Sequence, residues 1–263
     1  MASCPAVADE VARTAGPPPR VELQGLSWGH ERRAPLGSLP ALGLVGGEAL
    51  AVVGPNGAGK TSLLQTLCGA LPAVAGTIRL AGQALAELTP RSRAQRVALL
   101  PQTLALDPEL TVRELVELGR TPYLGWWGRL APTDHAAVES AIARCDLRAL
   151  ADVALGRLSG GERQRALVAM TVAQQAPLLL LDEPTTHLDL RWRHQLFELL
   201  HALRRDLEVA VVMVLHDLAE AYREAPRVLV LGAGRAEEVA RDDPARRERL
   251  ATVFDVPPDR LAL

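Results

Sequence analysis

The sequence predicts an α/β fold in which a parallel sheet carries helices and a helical segment is inserted. Apolar runs of strand length, at 49–53, 178–181 and 209–215, alternate with stretches of helical pattern. Between them, the sequence lacks strong strand runs and carries helix start and stop residues such as Thr111 and Gly119. We therefore expect a disordered tail at 1–20, one α/β domain at 21–263, and a helical subdomain at about 103–158 within it.

Length and charge exclude several classes of protein. A chain of 263 residues with 48% hydrophobic residues is long enough for one large core without structural disulfides or zinc. Its formal charge of -2 lacks the basic character of a nucleic-acid-binding surface, so we expect no nucleic-acid partner. The longest clean apolar run, 209–215, is far shorter than the ~20 residues that span a membrane. Any membrane role must therefore come through a partner.

A glycine-rich segment predicts a phosphate-binding loop. Residues 54–61 match G-x-x-x-x-G-K-[ST], after the apolar run 49–53 and before a helical pattern. Lys60 is the single lysine in a chain with 28 arginines, and a compact ammonium suits a cluster of phosphate oxygens. The alternative is an ordinary glycine turn. The residues expected to bind nucleotide here are Gly54, Asn56, Gly57, Gly59, Lys60, Thr61 and Ser62.

Two acids end a second buried strand. Asp182 and Glu183 follow four leucines, at the carboxyl end where parallel sheets carry their chemistry. Asp182 can reach Mg²⁺ through water, and Glu183 can act as the general base that activates water. Two acids that merely end a strand are the alternative, which the nearby phosphate loop disfavours.

A third motif predicts an anion site at a helix start. Ser159, Gly160 and Gly161 are followed by Glu162, so that Ser159 and Glu162 form a capping box. A hydroxyl and two glycine N–H groups at a helix N-terminus can bind an anion. Plain helix capping is the alternative for this motif taken alone.

In this order, the three motifs resemble the nucleotide-binding subunits of ATP-binding cassette (ABC) transporters. The resemblance runs from about Val21 onward and implies a RecA-like P-loop NTPase core with an inserted helical subdomain, an ATPase activity, and ATP with Mg²⁺ as ligands. By the same resemblance, Gln102 is the Q-loop glutamine, Asp189 lies in the D-loop, and His216 is the switch histidine.

The resemblance also assigns roles within the site. Glu183, His216 and Gln102 would be catalytic, and Thr61, Gln102 and Asp182 would hold Mg²⁺. Two subunits would sandwich ATP, with Ser159, Gly160 and Gly161 acting across the homodimer. The residue that stacks on adenine is Trp28 in our interpretation, with His30 as the alternative, although a tryptophan that ends a strand can equally belong to the core.

Further segments resemble the ATPases that import ferric siderophores, haem and cobalamin. Residues 119–125, 168–174 and 184–190 carry this likeness, and the second of them favours ferric siderophores. The resemblance implies a peripheral protein at the cytoplasmic face of the cell membrane, a transmembrane permease and an extracytoplasmic binding protein. Trp126 and Trp127 could form a partner surface or fill the core of the subdomain.

Two rival functions use the same phosphate loop. A soluble cassette ATPase of DNA repair or translation usually carries coiled coils, zinc modules or a second cassette, for which this chain shows no pattern. A small-molecule kinase would leave the motif at 158–165 unexplained.

Overall fold

The chain folds into two sheets and eight helices within the residues that the computed structural model describes, which are 20–29, 35–125, 128–186 and 188–261. The strands are β1 (Val21–Trp28), β2 (Gly37–Leu44), β3 (Ala49–Val53), β4 (Ala75–Leu80), β5 (Gln83–Ala84), β6 (Val97–Leu100), β7 (Leu178–Asp182), β8 (Ala210–Val214), β9 (Arg227–Gly232) and β10 (Arg235–Glu238). The α-helices are α1 (Lys60–Leu67), α2 (Pro90–Ala94), α3 (Val112–Leu118), α4 (Pro132–Arg144), α5 (Gly160–Ala173), α6 (Leu190–Leu207), α7 (Leu218–Glu224) and α8 (Arg246–Phe254).

The larger sheet has six strands in the order β10-β9-β3-β8-β7-β6. All neighbours pair in parallel except β10, which pairs antiparallel with β9 at the edge. Every residue of β3, β7 and β8 is buried, because both faces of the sheet are covered. The uninterrupted apolar runs in the sequence therefore correspond to the centre of this sheet, and the predicted α/β fold is confirmed.

The smaller sheet is antiparallel and has the order β2-β1-β4-β5. Its buried side chains share one hydrophobic cluster with α1 and with one face of the parallel sheet, including Leu23, Leu63 and Val212. The helix that follows the phosphate loop is thus held between two sheets, which fixes the direction of its N-terminus.

The segment between β6 and β7 is helical. Helices α3 and α4 pack against each other and against α5, and the described part of 103–158 contains only these helices, short 3-10 turns and one isolated bridge, Thr111 to Ala154. Thr111 caps α3 in a capping box with Glu114, as the sequence predicts. The Thr111 side chain accepts a hydrogen bond from the N–H of Glu114, and the Glu114 carboxylate accepts one from the N–H of Thr111.

The sequence also predicts a tail at 1–20, whose residues 1–19 lie outside the described part of the chain. Among the residues that are described, no helix combines the length and the apolar character needed to cross a membrane.

Candidate functional site

Four loops meet at the carboxyl edge of the parallel sheet. The glycine-rich loop follows β3, Gln102 follows β6, Glu183 follows β7 and His216 follows β8. Since these strands are neighbours and parallel, the loops open on the same side. A cavity of about 640 Å³ lies there, and its lining is Leu36, Asn56, Gly57, Gly59, Lys60, Thr61, Ser62, Gln102, Glu183 and His216.

The glycine-rich loop is shaped by two glycines with left-handed backbones. Gly57 and Gly59 have φ of 82° and 87°, a region that favours residues without a Cβ atom. Helix α1 begins directly afterwards at Lys60, so its N-terminal N–H groups face the cavity. Backbone donors and a positive helix end together make an anion site of the kind that binds phosphate.

Lys60 is buried at the base of this loop. Its Nζ donates hydrogen bonds to the carbonyl oxygens of Gly54 at 2.8 Å and Pro55 at 3.0 Å. Burial lowers the pKa of Lys60, while the charges of Glu183 and Asp182 oppose that shift. Because an ammonium has three donors, these two bonds leave a third for an oxygen in the cavity.

Glu183 lies at the centre of a polar cluster. Its Oε1 is 2.7 Å from Nε2 of His216, and its Oε2 accepts a hydrogen bond of 2.6 Å from Nε2 of Gln102. The backbone of Glu183 has φ of 52°, which is unfavourable for a residue with a side chain. Such local strain is typical of functional sites, where the surrounding structure holds the residue in place.

Asp182 is buried immediately beside this cluster, with 2% of its surface exposed. Its Oδ1 has no hydrogen-bond partner among the described residues. Burial raises the pKa of Asp182, whereas a hydrogen bond from the side chain of Thr61 lowers it. A carboxylate oxygen that loses water without gaining a partner is costly, so Oδ1 fits a site completed by a cation.

The donor set is that of a hard divalent cation. Thr61, Asp182 and Gln102 offer oxygen atoms, which Mg²⁺ prefers. No group of three or more His, Cys, Asp or Glu that could hold a metal occurs in the described part of the chain. A cation bound here would therefore be coordinated by these few protein oxygens together with phosphate and water.

The motif at the start of α5 lies outside this cavity. Ser159 and Gly160 are exposed, and neither they nor Gly161 contribute to the cavity lining that the structure describes. Asp189 is also exposed, and its Oδ1 caps α6 by accepting a hydrogen bond of 2.9 Å from the N–H of Trp192. One chain thus brings together the phosphate loop and the acidic cluster but not the third motif.

Trp28 is not placed to stack on a base, and this expectation is corrected. Its side chain is 0% exposed, and its Nε1 donates a hydrogen bond of 3.0 Å to the carbonyl oxygen of Gly59. The ring packs where Gly37 has no side chain, since a Cβ there would collide with the indole, and it lies close to Gly59, where a Cβ would be 3.1 Å from Nε1. The alternative residue for stacking, His30, lies outside the described residues, as do Trp126 and Trp127.

Two residues of the site are not among those that the sequence predicts. Leu36 reaches the cavity from the connection between β1 and β2, where a single leucine is indistinguishable from any loop residue. Thr186 places its Oγ1 3.4 Å from Oε2 of Glu183. Its spacing of three residues from an acid is a pattern that could have indicated this contact.

The sequence matches known proteins along most of its length. Residues 40–186, more than half of the chain, match the ABC transporter family. The hemin import ATP-binding protein of Streptomyces coelicolor is 42% identical over 85% of this chain and 81% of its own length. The ferric enterobactin transport ATP-binding protein of Escherichia coli is 39% identical over 72% of this chain and 70% of its own length.

The fold matches as well. An inward-facing structure of a metal-chelate type ABC transporter superimposes with a TM-score of 0.79 and 25% sequence identity, over 91% of this chain and 90% of that chain. The phosphate loop, the acidic strand end and the helix-start motif thus occur in the fold that the resemblance implies. The chain belongs to the ABC transporter family and is an ATPase of that family.

Proposed function

We propose that this ATPase powers uptake of an iron chelate through a transmembrane permease. The observation that carries the proposal is the match to import proteins named for hemin and ferric enterobactin over 85% and 72% of the chain. The cargo we expect first is a ferric siderophore, with haem and cobalamin as the alternatives. The subunit would lie at the cytoplasmic face of the membrane, and an extracytoplasmic binding protein would deliver the cargo to the permease.

The working unit in this proposal is a homodimer. The cavity is lined by the phosphate loop, Gln102, Glu183 and His216, whereas Ser159 and Gly161 lie at an exposed helix start outside it. Each chain carries one copy of each half-site. Two chains related by a two-fold axis can place the helix start of each over the cavity of the other and so complete two nucleotide sites.

The phosphate loop would bind the β- and γ-phosphates of ATP. The N–H groups at the start of α1 face the cavity, and the remaining donor of Lys60 can reach a phosphate oxygen. The Lys60 ammonium is buried, so its attraction to a phosphate oxygen is screened less than it would be in water.

Thr61, Asp182 and Gln102 would hold Mg²⁺ beside these phosphates. When bound, the ion supplies charge neutralisation for the phosphate oxygens. The unpartnered, buried Oδ1 of Asp182 supports this assignment, because burial raises the pKa of that carboxyl and a cation beside it would stabilise the charged form.

Glu183 would accept a proton from the attacking water. Its two oxygens are already oriented by His216 at 2.7 Å and Gln102 at 2.6 Å, so the carboxylate is held in one position before the reaction. A positioned general base contributes roughly 10²–10⁴-fold to rate. The imidazole of His216 lines the same cavity, and by rotating away from Glu183 it would contact the γ-phosphate.

Uptake of labelled cargo in cells that lack this gene tests the proposal. Cells complemented with the wild-type chain should take up a ferric siderophore, haem or cobalamin, whereas cells complemented with Glu183→Gln should not. Glu237→Gln, a substitution on the exposed strand β10, is the matched control and should restore uptake. Restored uptake of haem or cobalamin alone would support the import mechanism and change the cargo. If uptake of no cargo is restored, the import function is refuted.

ATP hydrolysis by the purified protein tests the role of Glu183 separately. Glu183→Gln should bind ATP with normal affinity and lose about 100-fold or more of turnover, since the amide cannot accept the proton. It should also accumulate an ATP-bound dimer. Hydrolysis at the wild-type rate would contradict the assignment of the base.

A further inference from the structure

A tight turn follows the strand that ends in Asp182 and Glu183. The N–H of Thr186 donates a hydrogen bond of 3.2 Å to the carbonyl oxygen of Glu183, which closes a turn over residues 183–186. Pro184 occupies the second position of this turn, where its fixed φ is favourable. The turn also brings Oγ1 of Thr186 to 3.4 Å from Oε2 of Glu183. Its shape therefore sets the backbone of Glu183 and one neighbour of the Glu183 carboxylate.

The central peptide of this turn joins Pro184 to Thr185, and both residues are buried. Its carbonyl oxygen takes no part in the bond that closes the turn, so it needs another donor. Nε2 of Gln164 supplies that donor, with a hydrogen bond of 3.1 Å to the Pro184 oxygen. Because the direction of this carbonyl depends on the ψ angle of Pro184, the bond from Gln164 holds the turn as well.

Gln164 is carried by a packed helix. It lies in the second turn of α5, just before the buried run 166–169, and α5 packs against α3 and α4. A side chain on a packed helix is held more precisely than one on a loop. Glu183 needs such support, because its φ of 52° is unfavourable and persists only when the surroundings hold it.

We propose that Gln164 positions Glu183 for ATP hydrolysis by holding the carbonyl group of Pro184. This inference rests on the proposed role of Glu183 as the general base. Gln164 is not part of the cavity lining that the structure describes, so it acts through the turn and not by contact with nucleotide. Without this donor, the buried carbonyl loses its partner, and the backbone of Glu183 can relax. The phosphate loop, which would bind ATP, is left as it is.

Replacing Gln164 by residues without a donor tests this role. Gln164→Met keeps a side chain of similar length that favours a helix, and Gln164→Glu keeps the shape and replaces the NH₂ group by an oxygen. In ATP hydrolysis by the purified protein, we expect both variants to lower kcat about fivefold to tenfold, the effect of one hydrogen bond. The KM for ATP should stay within about twofold of the wild-type value, since binding is not affected. Thermal unfolding identifies a variant that does not fold, and the other variant then gives the result.

Gln174→Met is the matched control. Gln174 follows the last residue of α5, and its Nε2 donates a hydrogen bond of 3.0 Å to the carbonyl oxygen of Val97. The substitution thus removes the same kind of bond at the opposite end of the same helix, and it should leave kcat unchanged. An equal fall in kcat in Gln164→Met and Gln174→Met would indicate general loosening of α5 and overturn the inference.

Combination with Glu183→Gln shows whether Gln164 acts through Glu183. In protein that already carries Glu183→Gln, adding Gln164→Met should cause no further loss of the residual turnover, because the base that it positions is absent. A further loss of about fivefold or more would overturn the inference, as would a wild-type kcat in both Gln164 variants. Failure of the proposed base gives a different result, since Glu183→Gln alone would then hydrolyse ATP at the wild-type rate.

Discussion

Replacing Arg120 by methionine is expected to loosen the helical part of the protein, because it leaves Asp134 buried without its counter-charge. Both residues are 4% exposed, and Nη2 of Arg120 lies 2.8 Å from Oδ1 of Asp134. Nη1 of Arg120 also donates to the carbonyl oxygen of Ala173 at 2.7 Å and to Oε1 of Gln175 at 3.0 Å. One guanidinium therefore joins the end of α3 to the start of α4 and the end of α5.

The magnitude follows from what remains after the substitution. Removing one partner of a buried ion pair costs about 3–5 kcal/mol, because the other charge stays in a poorly solvating place. For a chain of this size, each kcal/mol shifts the melting temperature by roughly 2–4 °C, so Arg120→Met should melt about 10 °C lower. Adding Asp134→Asn removes the stranded charge and should recover at least half of the loss.

Urea and thermal unfolding of the full chain, followed by circular dichroism, provide the assay. The N–H of Ala131 and the charge of Arg120 hold the pKa of Asp134 below its usual value. The stability that this carboxylate contributes is therefore present above its unfolded pKa of about 4 and is lost as pH falls through the lower folded value. A loss below about 1 kcal/mol in Arg120→Met at neutral pH would refute the reasoning, since that is the range of exposed pairs.

Two further substitutions probe the phosphate loop. Lys60→Arg should lose ATP binding, measured by calorimetry, because a flat guanidinium cannot take the place of the ammonium between the carbonyl oxygens of Gly54 and Pro55. Normal affinity for ATP would show that the site does not require a lysine at this position. Trp28→Phe should keep the ring in its slot and remove the bond to Gly59, which is worth about 1 kcal/mol. We expect a KM for ATP several-fold higher with kcat unchanged, and a fall in kcat alone would contradict a role in positioning the loop.

The local features of the site could be predicted from the sequence because they depend on neighbours in the chain. The capping boxes at Thr111 and Ser159 involve residues three apart, whose side chains and N–H groups meet as soon as a helix turn forms. The bend of the phosphate loop depends on glycines that tolerate φ near 80° at positions 57 and 59. The buried strands are equally local, since uninterrupted apolar runs are typical of a covered parallel sheet.

The sequence also predicts that several side chains lie at the carboxyl edge of the sheet, but it does not predict which of them are in contact. Gln102 and His216 are far from Glu183 along the chain, and they converge because β6, β7 and β8 are adjacent in the sheet. Strand order is a property of the whole fold, so no spacing between these residues encodes it.

By itself, the sequence determined the α/β class, the phosphate loop, the acidic strand end and the capped helix start, because glycine geometry, apolar runs and capping act over a few residues. Only the tertiary structure decided that Trp28 is buried against the phosphate loop instead of facing a base, since its indole packs on Gly37 of the paired strand and donates a hydrogen bond to Gly59 of the loop. Tertiary structure also placed Ser159 outside the cavity that holds Lys60 and Glu183. Both outcomes depend on packing between elements, where burial and volume are settled by segments that meet only in the folded chain.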